Sequence, residues 1–118
     1  NCADEPPTEA ECGHWAREAF TGRRDAQNQA DRACSQDADC VIVDYALDCF
    51  ADCGYPSAVS SAAVPRLEDT IEALDQRACR TFEARGCAVP VALPCVPAAS
   101  TRSAECREGA CTLVSRPL

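Results

Sequence analysis

The sequence predicts a small, disulfide-rich α+β domain, and three observations lead to that prediction. Eleven of the 118 residues are cysteine, whereas only 19 are Leu, Ile, Val or Phe. Cross-links therefore have to replace much of the missing apolar core. Helical periodicity recurs along the chain, and a hairpin pattern lies near its C-terminus. We predict two helical segments packed on a small antiparallel sheet with a C-terminal hairpin, in a single domain over residues 8–118 that follows an extended leader over residues 1–7.

The N-terminal residues predict this leader and then a helix. Two prolines end the leader and disfavour helical conformation before them. Thr8 and Glu11 have the spacing of a capping box, after which apolar residues recur at helical spacing. The helix is expected to bury Trp15 and Phe20. Gly22 interrupts the pattern before it resumes towards residue 34, so one bent helix and two separate helices both remain open.

The middle of the chain predicts one buried strand followed by a loop. Residues 40–45 are rich in β-branched side chains and are expected to pair with the arms of the C-terminal hairpin. Residues 46–60 show little periodicity and are interpreted as a loop held by Cys49 and Cys53. Five aspartates between residues 37 and 52 give this region an acidic surface.

A second helix is predicted from a continuous apolar stripe. Pro65 suits its first turn, and Gly86 suits a left-handed residue at its C-terminal end. The stripe has steps of three and four residues, which place its members on one helical face: Val64, Leu67, Ile71, Leu74, Ala78 and Phe82.

The segment from Cys87 to Cys95 alternates apolar residues with proline, which indicates an edge strand or polyproline II conformation. A stiff loop between two cysteines loses little entropy on binding, so Val89, Val91 and Leu93 are candidate partner-binding residues. The alternative is that they cover the helix stripe, because the chain has few other bulky side chains.

The last predicted element is a hairpin that turns at Glu108 and Gly109, with Cys106 and Cys111 on its two arms. A disulfide across the hairpin is expected between these two cysteines. A second is expected between Cys34 or Cys40 and the loop that holds Cys49 and Cys53.

An odd number of cysteines leaves at least one outside internal bridges. Cys2 is the expected exception, because it lies in the leader. It is a candidate for acylation, which would anchor the chain to lipid, or for a bridge between subunits; it could also stay unpaired or join the internal framework. The other ten are expected to form internal disulfides: Cys12, Cys34, Cys40, Cys49, Cys53, Cys79, Cys87, Cys95, Cys106 and Cys111.

Composition also limits the compartment and the partners. Disulfides at this density are typical of an oxidising environment, so the chain is expected to be secreted, extracellular, periplasmic or on the outer surface. The net charge of −8 disfavours nucleic acid as a partner. The longest run without polar residues, 87–99, contains three prolines and is too short for a transmembrane segment.

From residue 33 onward, the cysteine spacing resembles that of small secreted cysteine-rich proteins and lipoproteins of myxobacteria and related high-GC bacteria. The segments that carry this resemblance are A-C-S-Q-D-A-D-C-V-I-V, P-C-V-P and C-R-E-G-A-C. The group has no assigned activity, so the resemblance implies a location and a cross-linked fold, and it transfers no catalytic residue.

These observations favour a non-enzymatic function without a cofactor. His14 and Cys12 point to different sides of a helix and are not expected to form a catalytic pair. We therefore expect a secreted or surface-tethered protein-interaction domain, with a protein partner or self-assembly into an extracellular structure. The alternatives are a soluble inhibitory module that uses the Cys87–Cys95 loop, an enzyme accessory subunit, or a thiol metal-binding protein that uses Cys49 and Cys53.

Overall fold

The computed structural model describes residues 5–90, 94–95 and 100–117, and its architecture is the predicted α+β class. Its strands form two antiparallel sheets of two strands each, β1–β2 and β3–β4. The elements in chain order are α1 (Glu9–Gln29), β1 (Cys40–Val43), β2 (Ser57–Ser60), α2 (Val64–Leu74), α3 (Arg80–Ala84), β3 (Ser100–Arg107) and β4 (Ala110–Pro117).

Helix α1 is a single helix that passes through Gly22 without a break. Thr8 caps its N-terminus, where the hydroxyl oxygen accepts a hydrogen bond from the Glu11 N–H at 3.0 Å. At Gly22 a Cβ atom would stand 2.7 Å from both terminal methyl carbons of Leu74. The glycine therefore allows α1 and α2 to approach closely.

Substitution of Gly22 by alanine is expected to destabilise the protein by about 1 kcal/mol. The gain in helix propensity is about 1 kcal/mol, whereas overpacking a core site costs about 1 to 3 kcal/mol. Gly13→Ala is the matched control, because a Cβ there meets only the flexible end of the Arg17 side chain. Urea denaturation should show a lower midpoint for Gly22→Ala and an unchanged or higher one for Gly13→Ala. Equal midpoints would contradict the close approach.

The second predicted helix is confirmed, with one internal variation. Helices α2 and α3 are joined by a π-helical turn at Asp75–Cys79, so the helical path is continuous. Gly86 follows at a φ of +80°, as the sequence predicts. Five of the six stripe residues are buried and face α1 and the β1–β2 sheet: Leu67, Ile71, Leu74, Ala78 and Phe82.

The expected pairing of residues 40–45 with the hairpin arms is wrong. Strand β1 pairs instead with β2, with Val41 opposite Val59 and Ile42 opposite Ala58. The expectation that residues 46–60 form only a loop is therefore wrong at its last four residues. All four residues of β2 are buried, and three of them are small (S-A-V-S), so the strand carries almost no hydrophobic pattern.

The C-terminal hairpin is confirmed, and it forms the β3–β4 sheet. Glu108 and Gly109 both have positive φ, at 52° and 79°, as a two-residue hairpin turn requires. Near this turn, β4 bridges to Ala33 and packs on the β1–β2 sheet. The open end is exposed at Thr101, Arg102 and residues 115–117. The radius of gyration is 17.1 Å, against about 13 Å for a compact chain of about 100 residues.

Among the described residues, five disulfides cross-link the elements, and their pairing differs from the two bridges that the sequence predicts. Cys106 and Cys111 do not pair with each other, nor does Cys34 or Cys40 pair with the loop of Cys49 and Cys53. Both hairpin cysteines lie in the small apolar cluster between the hairpin and the β1–β2 sheet, which also contains Cys34 and Cys40. The observed bridges are Cys12–Cys87, Cys34–Cys106, Cys40–Cys111, Cys49–Cys79 and Cys53–Cys95. Cys2 lies outside the described residues.

Candidate protein-interaction site

The predicted binding segment is anchored at both ends, but to different parts of the molecule. Cys87 is bonded to Cys12 on α1, and Cys95 is bonded to Cys53 in the preceding loop. Val89 is 38% exposed, so part of its side chain is open to solvent. Val91 and Leu93 lie outside the described residues.

A cluster of three aromatic rings surrounds the guanidinium group of Arg23, and we call it the aromatic patch. Phe20 and Phe50 meet edge to face, with ring centroids 5.5 Å apart. The Cζ atom of Arg23 lies 4.9 Å from the Phe50 centroid, 5.4 Å from that of Phe20 and 5.8 Å from that of Tyr55. These distances allow cation–π attraction to all three rings.

The aromatic patch corrects the expectation that α1 buries both of its large aromatic residues. Trp15 is partly buried against the core, but Phe20 is 40% exposed. Arg23, one helical turn further on, is 1% exposed and occupies the buried position on that part of the helix. Phe20 therefore lies above the guanidinium group, with one side open to solvent.

Arg23 is held by a carboxylate and a carbonyl group. Its Nη1 donates hydrogen bonds to the Tyr45 carbonyl at 3.0 Å and to Asp52 Oδ1 at 3.2 Å, and its Nη2 donates to Asp52 Oδ2. These hydrogen bonds, and the charge behind them, lower the pKa of Asp52. The Nε atom is buried and has no hydrogen-bond partner among the described residues. The cation is thus neutralised within the protein and is not offered to a ligand.

Gln27, one turn after Arg23, makes further hydrogen bonds to the segment that contains Tyr45 and Asp52. Its side-chain nitrogen donates to the Ser57 hydroxyl at 3.0 Å and to the Tyr55 carbonyl. Its side-chain oxygen accepts from the Tyr45 N–H at 3.5 Å. Gln27 is fully buried. Together with Arg23, it holds residues 44–56, which we call the acidic loop, against α1.

The sequence predicts the acidic surface, and the structure divides its five aspartates into two groups. Asp37 and Asp39 lie outside the acidic loop and accept backbone N–H groups; hydrogen bonds from Ser35 and Gln36 lower the pKa of Asp39. Three aspartates belong to the acidic loop itself: Asp44, Asp48 and Asp52.

Two carboxylates extend the negative surface next to the acidic loop, and both lie on the continuous helical path of residues 64–84, which we call the second helical rod. Asp75 accepts the Asp48 N–H at 3.2 Å. Burial raises the pKa of Tyr45, and the nearby charge of Glu68 raises it further. Negative charge therefore surrounds the loop from both its own residues and the neighbouring helix.

The disulfides remove the thiols that two alternative functions need. Cys12 is bonded to Cys87, so it is not a nucleophile beside His14. Cys49 and Cys53 are bonded to Cys79 and Cys95, so neither offers a thiolate to a metal ion in this state.

No family model, curated protein or solved structure matches the chain. Among the described residues, no helix combines the length and apolarity needed to span a bilayer.

Proposed function

We propose that this protein is a protein-interaction domain of an oxidising compartment outside the cytoplasm, and that it binds a cationic segment of a partner protein. The binding surface consists of the aromatic patch and the acidic loop. One observation carries the proposal: Phe20 stays 40% exposed above an arginine that the protein has already neutralised.

The exposed ring and its surroundings have the features of a binding hot spot. Aromatic side chains at the centre of an interface supply much of its binding energy. Asp44 and Asp48 supply negative charge on the acidic loop, and the sequence contains no base between Arg32 and Arg66. A partner segment that carries Arg or Lys beside an apolar side chain complements the charge of this surface and its exposed apolar ring.

The acidic loop is also rigidly attached, which reduces the entropy lost on binding. Two disulfides leave the loop, Cys49–Cys79 to the helical rod and Cys53–Cys95 to the chain before β3. Arg23 and Gln27 hold the same loop to α1. The surface is therefore formed before the partner arrives.

The five disulfides support the proposed location, because bonds of this density persist under oxidising conditions. Secretion or exposure on an outer surface follows as part of the proposal. A lipid anchor at Cys2 is the corresponding hypothesis for a surface-tethered form, in line with the resemblance to bacterial lipoproteins.

A second candidate function is self-assembly, in which the hairpin of one copy binds the acidic loop of another. The hairpin, residues 100–117, carries three arginines and two glutamates, whereas the rest of the chain carries eight arginines and 17 acids. Arg102 is exposed; the side chain of Arg116 is 60% exposed and forms an ion pair with Glu105 at 3.0 Å. Such contacts between unlike surfaces would build open chains of subunits.

The main proposal is tested with an array of synthetic peptides that vary in Arg and Lys content and in one apolar residue. The wild-type protein should retain cationic peptides, and Phe20→Ser and Asp48→Arg should each weaken the best of them by about tenfold. Glu108→Arg, which changes the same charge in the hairpin turn, is the matched control. Equal weakening by the control would show a net-charge effect and contradict the assigned surface.

Native mass at low and high salt separates the second candidate from the first. Self-assembly through opposite charges predicts oligomers at low salt that dissociate when salt is added. A monomer at low salt, together with binding to cationic peptides, would leave the partner-binding function and exclude the assembly.

A further inference from the structure

Two disulfides lie side by side where the hairpin meets the β1–β2 sheet, and we call their four residues the cysteine cluster. The Cys34–Cys106 bond joins β3 to the segment after α1, and the Cys40–Cys111 bond joins β4 to β1. The sulfur atoms of Cys34, Cys40 and Cys111 all lie within 4.8 Å of one another. Each bond therefore has a sulfur of the other within reach.

The hairpin register also allows a different bond inside the cluster. Cys106 and Cys111 are directly opposite each other. Their N–H groups point away from the partner strand: that of Cys106 donates to the Asp37 carboxylate at 2.8 Å, and that of Cys111 donates to the Arg32 carbonyl at 2.7 Å. They are thus a non-hydrogen-bonded pair, in which Cα atoms are about 4.5 Å apart. That distance lies at the short end of the range for disulfides, about 4.4 to 6.8 Å.

One end of the cluster is open to solvent. A shallow cleft of about 360 Å³ is lined by Cys34 together with Ser35, Asp39 and Ser60. Cys34 and Cys106 are both partly buried, whereas Cys40 and Cys111 are 8% and 3% exposed. Of the two partly buried cysteines, Cys34 is the one that lines the cleft. A thiol from solution therefore meets Cys34 first.

We propose that the cysteine cluster is a thiol–disulfide exchange site, at which an external thiol converts the two bonds into Cys34–Cys40 and Cys106–Cys111. The external thiolate attacks Cys34, forms a mixed disulfide and releases the Cys106 thiolate. Cys106 attacks Cys111, forms the cross-strand bond and releases the Cys40 thiolate. Cys40 then attacks Cys34 and displaces the external thiolate. Two disulfides exist before and after, so the thiol is a catalyst and no net oxidant is needed.

The rearrangement changes what the bonds connect. In the observed pairing, both bonds tie the hairpin to the rest of the molecule. In the rearranged pairing, Cys106–Cys111 lies within the hairpin, and Cys34–Cys40 joins the segment after α1 to the first residue of β1. Apart from the main chain, the hairpin then keeps only non-covalent contacts with the rest of the molecule, such as the hydrogen bond from the Cys34 N–H to the Gly109 carbonyl at 3.1 Å. Exchange at this site therefore releases the hairpin from its disulfide cross-links.

The chain is suited to a direct test, because trypsin separates the relevant cysteines. Cleavage after arginine places Cys34 and Cys40 in peptide 33–66, Cys106 in peptide 103–107 and Cys111 in peptide 108–118. The native protein would be incubated with substoichiometric reduced glutathione, alkylated in acid, digested without reduction and analysed by mass spectrometry. We expect a peptide pair 103–107/108–118, free of peptide 33–66, that forms at a rate proportional to the glutathione concentration. If both hairpin peptides stay attached to peptide 33–66 at every time point, the proposal is wrong.

Two double variants test which cysteine the external thiol attacks and whether the second bond of the cluster is needed. In Cys40→Ser/Cys111→Ser, the freed Cys106 has no second bond of the cluster to attack and can only re-form the Cys34–Cys106 bond, so no rearranged peptide should form. The small fraction of glutathione that alkylation of Cys106 traps should be attached to Cys34. In Cys12→Ser/Cys87→Ser, which removes a bridge outside the cluster, the rearranged pair should form as in the wild type. Glutathione attached to Cys106 in place of Cys34 in the first variant would contradict the assigned point of attack. The wild-type experiment is decisive even if a variant does not fold.

Discussion

Reduction of the five disulfides is expected to unfold the protein without added denaturant. Three bridges span 75, 72 and 71 residues, and the other two span 42 and 30. In the chain-entropy model each bridge stabilises the fold by about 4 kcal/mol. The total stability of a small domain is about 5 to 15 kcal/mol, so the loss of two or three bridges is enough.

The measurement compares thermal melting, followed by circular dichroism, with and without a phosphine reductant. The oxidised protein should melt cooperatively, and the reduced protein should show no cooperative transition. A reduced sample that melts as the oxidised one does would show that the apolar core is sufficient, and would contradict the role assigned to the bridges.

The individual bridges should not contribute equally. Cys49 and Cys79 are both fully buried in the main core, so replacing them with alanine removes packed sulfur atoms as well as the cross-link. Cys53 is exposed and Cys95 is exposed, so the same replacement there removes little beyond the cross-link. We expect replacement of Cys49 and Cys79 to lower the free energy of unfolding more than replacement of Cys53 and Cys95. This order is expected although the Cys49–Cys79 bridge spans 30 residues and the Cys53–Cys95 bridge spans 42.

The elements that the sequence predicts well are those with a local signal. The second helical rod follows from a stripe within 19 residues, 64–82, and the hairpin turn follows from two adjacent residues. Strand β2 has no such signal, because its small residues are buried by the elements around it and not by their own hydrophobicity. Disulfide pairing is equally non-local. Nearness in sequence favours the wrong Cys106–Cys111 bridge, because it does not indicate that Cys34 and Cys40 lie beside the hairpin in the fold.

The candidate site was predictable in its charge but not in its centre. The aspartates of the acidic loop are visible in the sequence. Phe20 has the spacing of a core residue, and Arg23 is of a residue type that usually lies on the surface. In the structure Phe20 is exposed and Arg23 is buried. The cause is Asp52, which lies 29 residues from Arg23 and makes burial of the guanidinium group favourable. The sequence pattern of α1 alone cannot predict this partner, because Asp52 lies outside the helix.

Loss of the Asp52 carboxylate is expected to destabilise the protein by about 2 to 3 kcal/mol. Replacing one partner of a buried ion pair costs about 3 to 5 kcal/mol, and the value here is lower because the Asp52 side chain is 28% exposed. Asp52→Asn leaves Arg23, at 1% exposure, without a counter-charge. Asp48→Asn on the same loop is the matched control, with an expected change of less than about 0.5 kcal/mol.

The pH dependence distinguishes the lost charge from lost packing. The Arg23 guanidinium lowers the pKa of Asp52 in the folded state, so its stabilisation is complete above the unfolded pKa of about 3.9. It disappears as the pH falls through the lower folded value, where the wild-type carboxyl becomes neutral like the amide. Urea denaturation should therefore show a large difference between the wild type and Asp52→Asn at neutral pH and a much smaller one in acid. A difference that stays constant with pH would mean that Asp52 acts by its shape, and that burial of the Arg23 guanidinium below Phe20 does not depend on the negative charge of Asp52.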